Sequence, residues 1–120
     1  MPNTYESVNV GDIFYSPTRT ITESDVMQFA GLTGDYNELH TSISFAAETA
    51  FKQRIAHGML TLSISNGLYT RINIFPSTIF LGMNDLKFHT PVLFGDTIRL
   101  KLTIENKKLT SGVHKPSFSL

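Results

Sequence analysis

Leu60, Ile64, Leu68 and Ile72 recur at four-residue spacing, and Met59, Leu62 and Tyr69 widen the stripe. This period predicts a long helix opening at Gly58. Its opposite face holds small polar residues and no charge until Arg71. A helix so short of charge is wrapped by other structure on most sides. The chain that follows supplies the wrapping. From Thr97 to Lys107, Ile98, Leu100, Leu102 and Ile104 alternate with Arg99, Lys101, Thr103 and Glu105, the mark of a half-buried strand. Thr78–Phe88, after Pro76, reads as another strand. One buried helix followed by antiparallel strands predicts an α+β fold with a sheet around a helix. The 120 residues make one domain, spanning 1–120, with a modest core.

Val8–Phe14 reads as an opening strand broken at Gly11-Asp12. Thr22, with Asp25 three residues on, has helix-start chemistry. That helix should run through Val26, Met27 and Phe29 and end near Gly31 or Gly34. Residues 35–57 read as an irregular excursion with a short helix around Ser44–Phe51. Val113–Leu120 begins a new alternation, too short to pair fully with its neighbour; the favoured expectation is a truncated form that lacks its last strand, the alternative a last strand supplied otherwise or dispensed with.

Composition narrows the function classes. Hydrophobic residues make up 41% and charged residues 17%, a globular balance. Ten basic and ten acidic residues cancel, so neither a nucleic-acid nor an anionic-membrane partner is expected. With no cysteine there is no disulfide framework and no thiolate nucleophile. No apolar run reaches membrane-spanning length and the N-terminus lacks a leader pattern, so the expected address is cytoplasmic.

Two titratable residues stand out in Gly34-Asp35-Tyr36-Asn37-Glu38-Leu39-His40. A carboxylate and an imidazole at one point can move a proton on and off a water or a carbon. On a regular helix five residues turn through roughly 500°, which would point the pair about 140° apart. Gly34 is a natural helix stop, so the pair belongs on a turn, where convergence is open to it. Taken alone, the pair reads more readily as a solvated loop holding both by chance.

The run Phe29-Ala30-Gly31-Leu32-Thr33-Gly34-Asp35-Tyr36-Asn37-Glu38-Leu39-His40, with Ala46, Phe51 and Ile55-Ala56-His57-Gly58-Met59-Leu60, resembles the MaoC-like hotdog family. That family contains the (R)-specific enoyl-CoA hydratases and related acyl dehydratases. Its pattern reads G-D-x-N-P-L-H, an alanine and a phenylalanine downstream, then A-H-G-M-L. Phe88-His89-Thr90-Pro91-Val92-Leu93-Phe94-Gly95-Asp96-Thr97 is similar to the family's F-x-x-P-V-x-x-G-D-T strand pair. The likeness spans about residues 8–106. Glu38 stands where the family has proline, and Ser42 where an aspartate is common. The first change frees the backbone. Turned toward the pair, the glutamate would also raise the proton affinity of its neighbours. Neither change removes a catalytic group.

The resemblance implies the hotdog fold, an antiparallel sheet wrapped around a central helix. It also implies a hydro-lyase that interconverts trans-2-enoyl and (R)-3-hydroxyacyl thioesters. Asp35 and His40 would hold one water between them, and Gly58 N–H would polarise the thioester carbonyl. Asn37 would brace the loop, Ser63 would face the site, and Phe45, Met59, Leu60 and Ile64 would line an acyl slot. His57 reads as structural, because its side chain should point away from the helix start. No cofactor is needed, since the thioester acidifies C2, and no metal is expected from this ligand spacing. The partner is an acyl-CoA or acyl-carrier-protein thioester, and the unit a homodimer. Two other readings stay open: a dehydratase acting on carrier-bound 3-hydroxyacyl groups, docked through Lys52, Arg54 and Arg71, and a non-catalytic acyl-thioester-binding hotdog. A thioesterase would place its acid on the central helix, where residues 59–72 offer none.

Overall fold

The structure is a computed structural model that describes residues 7–75, 78–110 and 113–119. The chain forms two compact units. One comprises Met1–Pro17, Ser65–Asn84 and Arg99–Leu120; the other comprises Thr18–Ile64 and Asp85–Ile98. Among the described residues, no helix is long and apolar enough to cross a membrane.

The first unit holds a three-stranded antiparallel sheet in the order β1 (Ile13–Tyr15), β4 (Lys101–Thr110), β5 (Val113–Ser119). The opening strand begins later than the sequence suggests. Asn9–Asp12 closes into a turn instead, with Asp12 N–H donating to the Asn9 carbonyl at 3.0 Å and Asn9 N–H to Asp12 Oδ2 at 2.8 Å. Gly11 sits there at φ 95°, a conformation that favours glycine. The alternation in β4 is as expected. Leu102 and Ile104 are fully buried, Leu100 nearly so, and Arg99, Lys101 and Glu105 are exposed. Each such aliphatic side chain contributes about 1.5–3 kcal/mol on burial. Val8, Leu68 and Ile74 are also buried among the unit's described residues.

Two strand expectations are corrected here. β5 pairs along its whole length with β4, from Thr110↔Val113 to Thr103↔Ser119, with an irregularity between Ile104 and Asn106 that absorbs one residue. The alternation after Val113 is therefore long enough to pair. Pro116, which has no N–H for a ladder, is tolerated because β5 lies at the edge of this sheet. By contrast, residues 78–88 form no strand. Ile79, Phe80 and Leu81 are consecutive apolar residues and all are largely exposed, so no alternating face exists to bury. A strand is a property of a pair, and the described residues give this segment no ladder.

In the second unit β2 (Arg19–Thr20) pairs with β3 (Thr97–Ile98), and the Thr20 and Thr97 hydroxyls bond at 2.8 Å. Helix α1 (Glu23–Thr33) starts as the sequence predicts. The Thr22 side chain accepts from Asp25 N–H, and the Asp25 carboxylate accepts from Thr22 N–H. Gly34 ends it in the left-handed conformation at φ 80°, donating to the Ala30 carbonyl. The excursion holds two helices of a single turn each, α2 (Glu38–Thr41) and α3 (Ile43–Ala47). The expected helix over Ser44–Phe51 thus begins one residue early and stops at Ala47. Helix α4 (Gly58–Ile72) follows; its Gly58–Ile64 portion belongs to this unit and the rest to the other. Ile21, Val26, Ala30, Ala46, Ala56, Leu60 and Ile64 are buried.

Candidate active site

Gly34 turns the chain out of α1, and the next residues fold into a self-bonded turn. Asp35 N–H donates to Thr33 Oγ1 at 3.1 Å, and Asn37 N–H donates to Asp35 Oδ1 at 3.2 Å. The turn holds the aspartate carboxylate against its own backbone. Asn37 then caps α2, its Oδ1 accepting from Leu39 N–H at 2.9 Å. Its side-chain oxygen is thus used as a cap, and it is the Asn37 backbone that orients Asp35. Glu38, exposed, occupies the first helical position after the cap. Proline is favoured at that position because the N–H there has no helical acceptor. An acid suits it equally, by facing the open N–H groups of the first turn. The departure from the family pattern is therefore locally neutral.

One turn into α2, His40 reaches the Ile55 carbonyl through Nδ1 at 2.7 Å. A carbonyl only accepts, so Nδ1 carries a proton and Nε2 is the nitrogen left to exchange one. His57, buried just before α4, reaches the Asp35 carbonyl through Nε2 at 2.9 Å. By the same logic Nε2 is its protonated nitrogen. The two imidazoles stack with centroids 3.9 Å apart and planes tilted by 31°. Phe29 meets His57 edge-on at 5.0 Å. His57 Nδ1 is buried with no hydrogen-bond partner among the described residues. An unmet buried acceptor of this kind costs about 1–3 kcal/mol.

A carboxylate oxygen of Asp35 and one ring nitrogen from each of His40 and His57 lie within 4.8 Å of one another. Two imidazoles on one cation aim their in-plane lone pairs at a common point, at about 2.0–2.1 Å from zinc for example. Rings stacked 31° from parallel do not converge in that way, and one nitrogen of each is already bonded to a carbonyl. The cluster fits proton transfer better than metal binding.

Gly58 follows His57 and opens α4, so its N–H has no acceptor within the helix. A Cβ added there would stand 2.9 Å from Cε2 and Cζ of Phe88. The glycine answers a close approach and not a left-handed backbone. Phe88, at the head of the second motif, packs against the start of α4, a placement the sequence did not assign to it. Only its aromatic character beside a proline-turn motif could have signalled it.

The residues expected along an acyl slot differ in exposure. Leu60 and Ile64 are core side chains, 6% and 7% exposed, and offer little surface to a ligand. Phe45 and Met59 are roughly half exposed, as is Phe88. Ser63 is exposed and donates its hydroxyl to the Met59 carbonyl of its own helix at 2.8 Å. Arg54 is no open docking cation: it pairs with Glu23 and lies over the Phe94 ring at 4.7 Å from the centroid.

Residues 8–116 match the family model described as a MaoC like domain. The chain is 44% identical over 90 residues to the (R)-specific enoyl-CoA hydratase of Rhodospirillum rubrum, covering 74% of this chain and 61% of that protein. It is 38% identical over 103 residues to Protein MaoC of Klebsiella aerogenes, covering 86% of this chain but 31% of that one. Its fold superposes on the unliganded R-hydratase of Pseudomonas aeruginosa with a TM-score of 0.75 at 36% identity, over 87% of this chain and 66% of the other. The chain thus spans between about a third and three fifths of the length of these curated relatives. With the capped turn, the paired histidines and the glycine-opened helix in place, the chain has the hotdog fold and belongs to the MaoC-like dehydratase family.

Proposed function

We propose that this chain carries a hydro-lyase site interconverting trans-2-enoyl thioesters and (R)-3-hydroxyacyl thioesters. The observation that carries the reading is the convergence of the Asp35 carboxylate and the His40 ring within 4.8 Å, beside the start of α4. Water held between them attacks C3 and gives one proton to Asp35. Because His40 Nδ1 is committed to Ile55, a proton for C2 comes from Nε2 of the cationic ring. The protonated Asp35 then returns its proton to neutral His40, and both groups are reset. Gly58 N–H stabilises the charge that builds on the thioester oxygen, an interaction worth most in the enolate-like transition state. Dehydration runs the same path backward.

The acyl group is carried by coenzyme A or by an acyl carrier protein. A cytoplasmic homodimer is part of the same reading.

Loss of enoyl absorbance from crotonyl-CoA tests it. Asp35→Asn and His40→Gln should each lower turnover by roughly 10²–10⁴-fold, the usual worth of a placed acid or base. Since both act on one water, the double variant should lose far less than the product of the two. Turnover like that of the wild type in either single variant would remove this mechanism.

A further inference from the structure

His57 touches no reacting atom in the mechanism above, yet it is the most buried titratable residue in the neighbourhood, at 2% exposure. Its Nδ1 lacks a partner among the described residues, while its Nε2–H reaches the Asp35 carbonyl at 2.9 Å. An apolar ring of similar size would keep the edge contact to Phe29 and avoid the unmet acceptor. Packing alone therefore does not explain an imidazole here. Two features need one. The Nε2–H bond fixes the backbone of the residue whose carboxylate must be aimed. The flat ring, 3.9 Å from that of His40, limits how far His40 can swing about its bond to Ile55.

We infer that His57 is a positioning residue for the Asp35/His40 pair, holding the first by its main chain and the second by stacking. The inference rests on the proposed hydro-lyase reading and extends it to a residue that reading does not use. Neutral His57 in the Nε2–H form serves both tasks at once. With the proton on Nε2, Nδ1 is left as an acceptor that no donor among the described residues meets.

Two variants separate the tasks. His57→Phe keeps a ring and removes the donor; His57→Gln keeps a donor and removes the ring. Each should lower kcat by roughly 10–100-fold through misplacement of the reacting groups, with KM for crotonyl-CoA little changed. His57→Gln should recover part of what His57→Phe loses. A folded His57→Phe or His57→Gln with kcat within about twofold of wild type would overturn the inference. Nitrogen-15 NMR of the wild-type protein decides it without any variant. His57 should be found as the Nε2–H tautomer, and His40 should carry a proton on Nδ1. An Nδ1–H His57 would break the bond to Asp35 and overturn the positioning role. This measurement needs no substrate, so inactivity of the wild type toward crotonyl-CoA would sink the hydro-lyase reading while the tautomers still judged His57.

Discussion

A methyl group at position 58 meets the Phe88 ring, but that ring is half exposed and free to swing away. Gly58→Ala should therefore change stability little while crowding the helix start where a thioester oxygen would approach. Turnover should fall roughly 10²-fold, the scale of a lost oxyanion donor. Adding Phe88→Ala distinguishes the two causes. If the new methyl blocks the N–H, activity on crotonyl-CoA stays low in the double variant; if the displaced ring blocks the site, activity returns. Glu38 calls for the opposite outcome. It is exposed at the first position of α2, so Glu38→Pro should stabilise the fold by about 0.4–1 kcal/mol, by restricting the unfolded chain. Turnover should stay near wild type, and thermal melts with the same kinetic assay check both halves.

At the level of elements, α1 depends on its reciprocal cap. Thr22→Ala removes the acceptor for Asp25 N–H and should cost about 1 kcal/mol in a denaturant melt. Asp25 adds a pH dependence. Partial burial works to raise its pKa, but contacts with the Thr22 backbone and side chain and with Arg19 outweigh it, leaving the carboxyl below its ordinary value of 3.8. Its folded form therefore binds the proton more weakly than its unfolded form. The resulting stabilisation is present above the ordinary value and is lost as pH falls through the lowered one. Asp25→Asn should show a smaller drop in melting temperature than wild type between pH 5 and pH 2.5. Legibility at this scale follows range. The cap, the Gly34 stop and the Gly58 start are written within a few residues and could be read. Helix α2, four residues long, leaves no periodicity to see. Residues 78–88 have strand composition, but composition does not provide a partner.

Over the whole molecule, ten basic and ten acidic residues leave no net charge to keep copies apart. Against that balance Ile79, Phe80, Leu81, Met83, Leu86 and Phe88 stand exposed. Apolar surface on a chain of zero net charge favours self-association. Replacing Ile79 and Leu81 by lysine should shift sedimentation profiles toward the smaller species at equal concentration. An unchanged profile would show that this apolar surface does not drive association. The candidate site was legible in kind but not in construction. Asp35, His40 and Gly58 were marked by motif, whereas the contacts that draw them together run from His40 to residue 55 and from His57 back to residue 35. No local pattern records bonds of that range. The path of the His57 ring was hidden for the same reason: it reaches back to the turn that carries Asp35.

The hydrogen bonds that brace the two histidines end on carbonyl oxygens, one of Ile55 and one of Asp35, and not on side chains. Side chains drift under mutation; main-chain oxygens do not. The residue at position 55 is therefore free to vary in an evolving or engineered lineage, provided the backbone there keeps its path. What such a lineage cannot tolerate is an inserted or deleted residue between 35 and 57, which would move the acceptors themselves. Asp35→Asn also becomes an unusually clean probe, because the exchange alters the acid while leaving untouched the oxygen that His57 grips.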